Sequence, residues 1–404
     1  MPAVARTEKT SLRIGALGLG QAGGNLAAEM HRRGYPALAI NTAQADLRSL
    51  TTGGGLPEDA CLYVGLDGTD GAGKDPDYGR ACLEHHADQI VEAVTTRFAG
   101  VDLVMIFAGL GGGTGSNAAT LWHILQGSGL PLGALVTLPS PSESGLIKVN
   151  AVRAAEALLD APLNVRMLVD NKRVSALHPN LDVLSFYREA NASIVDPLDE
   201  FNRLNMRTEL HSVRSFDGED FRKALLGGGV LVPSVSTLAA KPIQLKDLED
   251  NIVASVDGGH VFSQGMNVQK VSLLAVVLVA PEELLKETKA SVFDELEERL
   301  KQKTGGAAIS LGLYTAKAKE PLLLVLSSST ALPTSVDQLL AQARKEGQTI
   351  SQKIHEELPR LDVSSLTAMN LSRAPQPAAV SRPPPPRPAQ EQFCLLYTSD
   401  AADE

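Results

Sequence analysis

The sequence has few aromatic residues, few cysteines and no long apolar run, and each shortage excludes a class of protein. Of its 404 residues only 4% are aromatic, and three are cysteine. Cys61 and Cys82 have no spacing typical of a zinc site or a disulfide framework, which fits a reducing cytoplasm. The longest apolar run, 271–280, falls far short of the roughly 20 residues that span a bilayer. Residues 1–10 lack the apolar core of a secretory signal. We therefore expect a cytoplasmic protein without a transmembrane segment.

Positive charge is also scarce. The chain has 37 lysine and arginine residues against 47 aspartate and glutamate residues, a formal net charge of −10. This balance argues against a protein that binds nucleic acid along its whole length, and we expect no direct nucleic-acid partner. The hydrophobic content of 44% is that of an ordinary globular protein. The length is sufficient for two domains with sizeable cores.

Glycine is abundant where the chain is most distinctive, because residues 109–115 contain five glycines. An apolar run at 101–108 predicts a strand before this stretch, and residues 118–125 predict a helix after it. A strand, a glycine loop and a helix start can together bind a phosphate group. The glycine backbone turns its N–H groups toward the anion, and the helix start adds unpaired N–H groups. A plain surface loop rarely follows a buried strand with so many glycines. The absence of a following Gly-Lys-Ser/Thr excludes a Walker A loop.

A second glycine motif, GLGQAGGN, occupies residues 18–25 between a predicted strand at 12–17 and a predicted helix at 26–33. By itself this motif also suits the dinucleotide site of an NAD(P)-dependent oxidoreductase. The next predicted strand, 37–40, argues against that alternative. It ends in Asn41 and Thr42, where an NAD site has an acidic residue for the ribose.

These motifs resemble those of the tubulin/FtsZ family of GTPases. Residues 109–117 resemble its GGGTGSG signature, 20–25 its first phosphate loop, and 41–47 the end of its second strand. Residues 65–80 resemble its γ-phosphate-sensing loop, with a plain surface loop as the alternative. The resemblance implies that GTP or GDP binds together with Mg²⁺, and no residue is assigned as a direct metal ligand. The implied phosphate-side residues are Gly20, Gln21, Ala22, Gly24, Asn25, Gly109, Gly111, Gly112, Gly113, Thr114 and Gly115.

Further along the chain, Glu143 matches a glutamate that contacts the ribose in this family. The family's nearby basic residue is not in register, and Lys148 is the nearest candidate. Residues 170–172, Asp-Asn-Lys, resemble an Asn-Asp-Lys motif with the first two residues exchanged. Either residue could therefore read the guanine, and we assign Asn171.

The purine side of the implied site lies on a long predicted helix, 183–207, interrupted only by Pro197. Tyr187 and Asn191 are four residues apart, which places them on one helical face. The ring can stack on a purine while the amide bonds its polar edge. A tyrosine packed in the core beside a surface asparagine is the alternative. The resemblance to the family's (Phe/Tyr)xxxAsn pair favours nucleotide binding.

Residues 215–220, SFDGED, resemble the family's NxDxxD catalytic loop, with Ser215 in place of the asparagine. The resemblance implies that Asp217 and Asp220 of one subunit act on the γ-phosphate bound by the next, so that hydrolysis requires polymerisation. The same aspartates also suit the N-cap and first turn of a predicted helix at 221–226. Because Ser215 departs from the pattern, a non-hydrolysing nucleotide-bound scaffold is an alternative.

The predicted fold class is α/β, with a Rossmann-like parallel sheet followed by a long helix and a smaller α+β domain with a mixed sheet. The predicted segments are a GTP-binding domain at 11–182, a central helix at 183–209, an α+β domain at 210–330, a C-terminal helix at 331–360 and a disordered proline-rich linker at 372–393. Ser335 and Gln338 resemble a capping box that opens the C-terminal helix, whose apolar face packs on the body or on a neighbouring subunit. Residues 394–404 resemble a translated sequencing adapter rather than natural sequence.

The predicted partner is a second copy of the same chain. The family resemblance implies head-to-tail assembly, and a head-to-tail contact that does not close generates a filament. The cellular task would be division, DNA segregation or shape control. A membrane or DNA-segregation adaptor could bind a C-terminal tail.

Overall fold

The computed structural model describes residues 10–53, 55–66 and 68–357. In chain order its strands are β1 (Ile14–Leu19), β2 (Ala37–Asn41), β3 (Cys61–Tyr63), β4 (Leu103–Gly109), β5 (Leu132–Leu138), β6 (Val165–Asp170), β7 (His211–Arg214), β8 (Val230–Thr237), β9 (Val271–Ala280), β10 (Ala308–Thr315) and β11 (Leu322–Ser329). The helices are α1 (Gly20–Arg32), α2 (Gln44–Thr52), α3 (Pro76–His85), α4 (Ala87–Arg97), α5 (Ala118–Leu125), α6 (Gly145–Asp160), α7 (Asn171–Leu177), α8 (Val183–Arg203), α9 (Gly218–Leu226), α10 (Leu245–Val256), α11 (Glu282–Lys286), α12 (Ser291–Lys303) and α13 (Thr334–Glu357). Within the described ranges, no helix is long and apolar enough to cross a membrane.

The first six strands form a parallel sheet in the order β3-β2-β1-β4-β5-β6, the order of a doubly wound dinucleotide-binding fold. Strands β1 and β5 are buried along their whole length, as are six of the seven residues of β4. Such continuous burial is expected where helices cover both faces of a parallel sheet. Because the strands are parallel, their carboxyl ends lie at the same end of the sheet. The two glycine motifs that follow β1 and β4 therefore lie side by side.

The remaining strands continue the same sheet in the order β8-β11-β9-β10-β7. This part is mixed, because only β9 and β10 are parallel within it. It joins the parallel part through a single register pair between Arg166 of β6 and Val230 of β8. The two edges of the whole sheet are β3 and β7, which have three and four residues.

Several element boundaries differ from the sequence predictions. Helix α1 begins at Gly20 rather than at residue 26, because Gly20 makes the turn from β1 in one residue at φ +70°. The predicted helix at 281–303 is two helices, α11 and α12, and the helical pattern from 81 to 98 breaks at His86. The capping box at Ser335 was wrong. Helix α13 begins at Thr334, and the buried Ser335 hydroxyl has no hydrogen-bond partner in the described part of the chain.

The predictions for 358–360, the linker at 372–393 and the segment 394–404 lie outside the described residues. Strand β8 was not predicted, since Pro233 weakens a strand pattern. Beyond Val230 this strand pairs only with β11, an edge-like setting where proline is tolerated.

Helix α8 runs from the carboxyl ends of the parallel strands to their amino ends and contains Pro197. Near its end Asn202 is fully buried, and its side chain bonds both backbone groups of Leu12 just before β1. The Leu12 N–H donates to Oδ1 at 2.8 Å, and Nδ2 donates to the Leu12 carbonyl at 2.9 Å. One turn earlier, Asp199 accepts a hydrogen bond from the Tyr35 hydroxyl at 2.7 Å. These bonds fix the end of α8 at the amino ends of the strands.

Candidate nucleotide-binding site

A cleft opens where β1, β4, β5 and β6 end. It has two connected parts, one of about 490 Å³ lined by the glycine motifs and one of about 730 Å³ lined by α8 and the loop after β5. The two parts share one set of lining residues: Gln21, Ala22, Thr137, Glu143 and Asn171. The cleft is therefore continuous from the glycine loops to α8.

The loop after β4 can follow its path because its glycines have no side chains. A Cβ added to Gly111, which has φ +132°, would lie 2.6 Å from Cγ2 of Ile147. A Cβ on Gly113 would lie 2.6 Å from Cβ of Ala72. A Cβ on Gly112, by contrast, would meet no atom within 4 Å. The loop is thus packed on both sides and open at Gly112, a cradle of the shape that phosphate loops present to an anion.

Buried amides, which the sequence reasoning missed, hold this loop in place. Asn117 donates to the Gly113 carbonyl at 2.8 Å and to the Pro76 carbonyl at 3.0 Å. Asn150 on α6 donates to the carbonyls of Lys74 at 2.9 Å and Gly111 at 3.3 Å. Asn117 is the last residue of the recognised signature, and this position is a signal in the sequence that could have revealed its role. Asn150 lies within an amphipathic helix, and nothing in its sequence context marks it.

The larger part of the cleft contains the residues predicted for the purine. Tyr187 and Asn191 both line it, and Tyr187 is 64% exposed, so its ring is open to a stacking partner. The exchanged Asp-Asn pair separates in space. Asn171 lines both parts of the cleft, whereas the Asp170 carboxylate caps α7 by accepting from the Lys172 N–H at 2.9 Å.

Glu143 lies where the two parts of the cleft meet. Its Oε1 accepts a hydrogen bond from the Ser140 N–H at 2.7 Å, which fixes the loop after β5. A carboxylate accepts several hydrogen bonds, so this group can still receive them from hydroxyls in the cleft.

Two predicted residues lie elsewhere. Gly24 faces α2, and a Cβ there would lie 2.7 Å from Cδ1 of Leu50, so this glycine allows α1 and α2 to pack closely. Lys148 is buried, and its ammonium pairs with Glu346 of α13 at 2.8 Å instead of lining the cleft. The predicted phosphate-side residues other than Gly24 line the cleft.

Asp217 and Asp220 form a reciprocal cap at the start of α9. The Asp217 carboxylate accepts from the Asp220 N–H at 2.9 Å, and the Asp220 carboxylate accepts from the Asp217 N–H at 3.1 Å. Neither aspartate lines the cleft.

The start of α9 is fixed against the amino ends of the strands. A Cβ on Gly218 would lie 3.5 Å from Cβ of Ser11, and Arg222 pairs with Asp102 at 3.2 Å. Burial by itself raises the pKa of Asp102, but hydrogen bonds from Arg13 and Arg222 outweigh it and hold the pKa below its ordinary value. Ser11 and Asp102 precede β1 and β4. The capped aspartates therefore lie at the amino ends of the strands, whereas the cleft lies at the carboxyl ends. The six residues of β1, roughly 20 Å long, separate the two.

Two family models match this chain. Residues 13–178 match the family model described as Tubulin/FtsZ family, GTPase domain. Residues 203–340 match the model for the C-terminal domain of TubZ-like proteins of the tubulin/FtsZ type. The chain belongs to the tubulin/FtsZ family. Members of this family are cytoskeletal GTPases that form filaments, so the NAD(P)-dependent alternative has no support.

Relatives of this tubulin/FtsZ-family chain come from bacteria and archaea. TubZ of Bacillus cereus is 26% identical over 356 residues, 80% of each chain. CetZ of Pyrococcus furiosus is 23% identical over 369 residues, 87% of this chain and 97% of the relative. Among solved structures, a GTPγS-form protofilament of TubZ from Bacillus thuringiensis serovar israelensis has a TM-score of 0.73 at 19% identity. The match covers 87% of this chain and 96% of that one. The likeness confirms the predicted α/β fold with its mixed C-terminal sheet.

Proposed function

We propose that this protein binds GTP in the cleft, assembles head to tail with copies of itself, and hydrolyses GTP at each junction between subunits. The observation that carries the proposal is the placement of the two candidate half-sites at opposite ends of the strands of one sheet. Within one subunit Asp217 and Asp220 are too distant to act on a phosphate at the glycine loops. A head-to-tail contact brings the Asp217 and Asp220 surface of one subunit onto the cleft of the next, and repetition of this contact produces a filament.

Each part of the cleft supports one part of the nucleotide. The glycine N–H groups and the start of α5 would bind the phosphates. The Tyr187 ring would stack on the guanine while Asn171 and Asn191 bond its polar edges, and Glu143 would accept from the ribose hydroxyls.

Mg²⁺ fits this cleft as a companion of the phosphates. The described residues contain no group of three or more His, Cys, Asp or Glu side chains that could hold a metal ion. Mg²⁺ commonly binds through one or two carboxylates together with substrate phosphates. Asp46, which lines the phosphate part and accepts from the Asn41 amide at 3.0 Å, is the carboxylate in position. When bound, the ion would neutralise charge on the phosphate oxygens.

Hydrolysis would use Asp217 or Asp220 of the next subunit to orient the attacking water and accept its proton. The reciprocal cap leaves each carboxylate with lone pairs for such a water, because a carboxylate accepts about four hydrogen bonds. The cap also orders the loop before a neighbour arrives.

A second candidate function is a nucleotide-bound filament scaffold that does not hydrolyse GTP. Two observations favour it, namely Ser215 in place of the expected asparagine and the capping role that Asp217 and Asp220 already perform. In either case the cellular task would be division, DNA segregation or shape control, with an adaptor bound through the C-terminal tail.

The first test measures phosphate release from GTP against protein concentration, with light scattering in the same cuvette. We expect both signals to begin at one threshold concentration, because the site is complete only between subunits. Turnover that is linear from the lowest concentration would contradict a shared site. Scattering without turnover would favour the scaffold.

The second test replaces Asp217 by Asn, which is an equally good N-cap but carries no charge. We expect Asp217→Asn to bind GTP and to assemble normally, while phosphate release falls about 100-fold or more, the usual range for loss of a general base. Glu219→Gln removes the same charge from the same helical turn and should leave turnover unchanged. Full turnover in Asp217→Asn, or an equal loss in both variants, would refute the catalytic role of Asp217, and full turnover in Asp217→Asn/Asp220→Asn would refute the role of both aspartates.

A further inference from the structure

A second cavity, of about 220 Å³, lies beside the nucleotide cleft. Its lining comes mainly from the loop after β5, from α7, from the segment between α10 and β9, and from the first turns of α13. Two serine and three glutamine side chains make this lining polar. A small polar molecule fits the cavity together with several waters, because one water takes up about 30 Å³ of liquid.

Two serine hydroxyl groups of this lining are buried without a hydrogen-bond partner among the described residues. Ser263 is only 1% exposed, and neither its hydroxyl nor that of Ser335 is bonded. Leaving a buried hydroxyl unpaired is costly, and most such groups in native proteins are bonded to protein, water or an ion. The two hydroxyls therefore indicate a polar occupant of the cavity.

The charges around the cavity favour an anion over a cation. Lys172 and Arg173 both line it, against one carboxylate, Asp170. That carboxylate already caps α7, because it accepts a hydrogen bond from the Lys172 N–H at 2.9 Å. Positive charge is thus in excess in the described lining, and it would repel a metal ion.

The Arg173 guanidinium is fixed at the wall of the cavity. Its Nη1 donates to the Phe262 carbonyl at 3.0 Å, and its Nη2 donates to the Gly259 carbonyl. Because an arginine has five N–H donors, these bonds hold the group in place and leave other donors for a ligand. Burial lowers the pKa of Arg173, and the nearby Asp170 and Asp257 offset this effect only in part. An anion in the cavity would stabilise this charge.

The loop after β5 forms the wall between the cavity and the nucleotide cleft. Pro141 lines the cavity, whereas Glu143 lines the cleft. The start of α7 is divided in the same way, since Lys172 lines the cavity and Asn171 lines the cleft. A ligand in the cavity therefore contacts the back of the loop that carries Glu143.

We propose that this cavity binds a small tetrahedral oxyanion, such as inorganic phosphate or sulfate, and that the bound anion orders the loop after β5. The Ser263 and Ser335 hydroxyls and the Arg173 guanidinium donate to the anion oxygens, and Lys172 adds a point charge. Water alone would pair the hydroxyls but would bring no negative charge to Arg173. The site is distinct from the glycine cradle, so the inference does not rest on the proposed function.

The test is a calorimetric titration of inorganic phosphate into the full chain saturated with GTPγS, below the assembly threshold. GTPγS occupies the glycine cradle, so the added phosphate reports on the cavity. Sulfate and chloride are titrated in parallel, and we expect phosphate or sulfate, or both, to bind at one site and chloride to give only heat of dilution. If neither oxyanion binds, or if chloride binds equally well, the inference is overturned and the occupant is water or any small anion.

Matched variants locate the binding. Ser263→Ala should raise the Kd of the oxyanion about tenfold, as for loss of one hydrogen bond to a charged group, without lowering the unfolding temperature of the anion-free chain. Ser327→Ala removes another fully buried, unpaired hydroxyl, on β11 outside the cavity, and should leave the Kd unchanged. Lys172→Gln should also raise the Kd, whereas Lys289→Gln, at an exposed lysine between α11 and α12, should not. Equal effects of Ser263→Ala and Ser327→Ala would overturn the site.

Hydrogen exchange of the backbone amides within 140–145 measures the ordering of the loop. In the GTPγS-bound chain we expect the oxyanion to slow this exchange severalfold, and to have no such effect in Ser263→Ala. Unchanged exchange in the parent would overturn the ordering role.

The outcomes also separate this inference from the proposed function. If the chain binds no GTPγS, the proposed function fails, and the titration is repeated with Gly112→Leu, whose new side chain fills the cradle. Oxyanion binding to that variant would support the cavity, and its absence would overturn it. If the chain binds GTPγS but neither oxyanion, only the cavity is overturned.

Discussion

At the scale of single residues, the glycines of the first motif have different tasks. Gly20 turns the backbone with φ +70°, whereas Gly23 allows α1 to lie directly on β4. A Cβ on Gly23 would lie 2.0 Å from the Phe107 carbonyl oxygen, which belongs to the rigid backbone of the sheet. A Cβ on Gly24 would crowd only the flexible end of Leu50, at 2.7 Å, and would make an ordinary contact of 3.8 Å with Cβ of Ala39. Gly23 and Gly24 therefore differ in how closely other atoms pack against them, and not in ligand binding.

Gly23→Ala should destabilise the protein by about 2 kcal/mol or more, because the sheet backbone must shift to admit the methyl group. Gly24→Ala should change the free energy of unfolding by less than about 1 kcal/mol, since Leu50 can move and alanine favours the helix. Urea unfolding of the nucleotide-free chain measures both. An equal cost for the two variants would contradict this account.

The sequence identifies most of the cleft because its motifs are contiguous. Residues 109–115 carry their own signature. Helical spacing places Tyr187 and Asn191 on one face, and the resemblance to the family's (Phe/Tyr)xxxAsn pair favours nucleotide binding there. In the structure Gly24 and Lys148 do not line the cleft, and the atoms that they contact belong to Leu50 and Glu346, the latter almost 200 residues away from Lys148. Local patterns contain no information about such partners.

At the scale of elements, α13 shows how distant segments shape the site. Lys148–Glu346 and Arg344–Glu156 join α13 to α6, which carries Asn150. The sequence left open whether this helix packs on the body or on a neighbouring subunit. The two ion pairs place residues 344–346 of this helix on the body.

Glu346→Gln should destabilise the protein by about 1–3 kcal/mol, because it leaves the buried Lys148 ammonium without a charged partner. Glu156→Gln breaks an exposed pair on the same two helices and should cost no more than about 0.5 kcal/mol. Thermal unfolding at one salt concentration compares the two variants. A cost as large for Glu156→Gln would show that burial of Lys148 is irrelevant.

At the scale of the whole molecule, one sheet separates the two halves of the proposed catalytic site. The fold class follows from the sequence because buried strands and amphipathic helices alternate along residues 12–177. The junction between the two parts of the sheet does not follow from the sequence. It consists of the pair Arg166–Val230, and pairing between distant strands depends on tertiary packing that local pattern does not encode.

Two inactive variants should restore each other when they are mixed. The double variant Asp217→Asn/Asp220→Asn keeps an intact cleft, and Gly112→Leu fills the open cradle while keeping both aspartates. In a random 1:1 filament about a quarter of the junctions combine an intact cleft with intact aspartates, so phosphate release should return. A mixture as inactive as its components would exclude sites shared between subunits.

The edges of the sheet limit the kind of lateral contact that such a polymer can make. A long, flat edge strand is a template for further strands, and here the edges are β3 and β7, the shortest strands described. All four residues of β7 are exposed, and its last, Arg214, pairs with Glu297 of α12. Both edges are short, so they offer little unpaired backbone to a neighbouring sheet. In the proposed assembly, any lateral contact between rows of subunits should therefore use side-chain surfaces and not strands shared between neighbouring sheets.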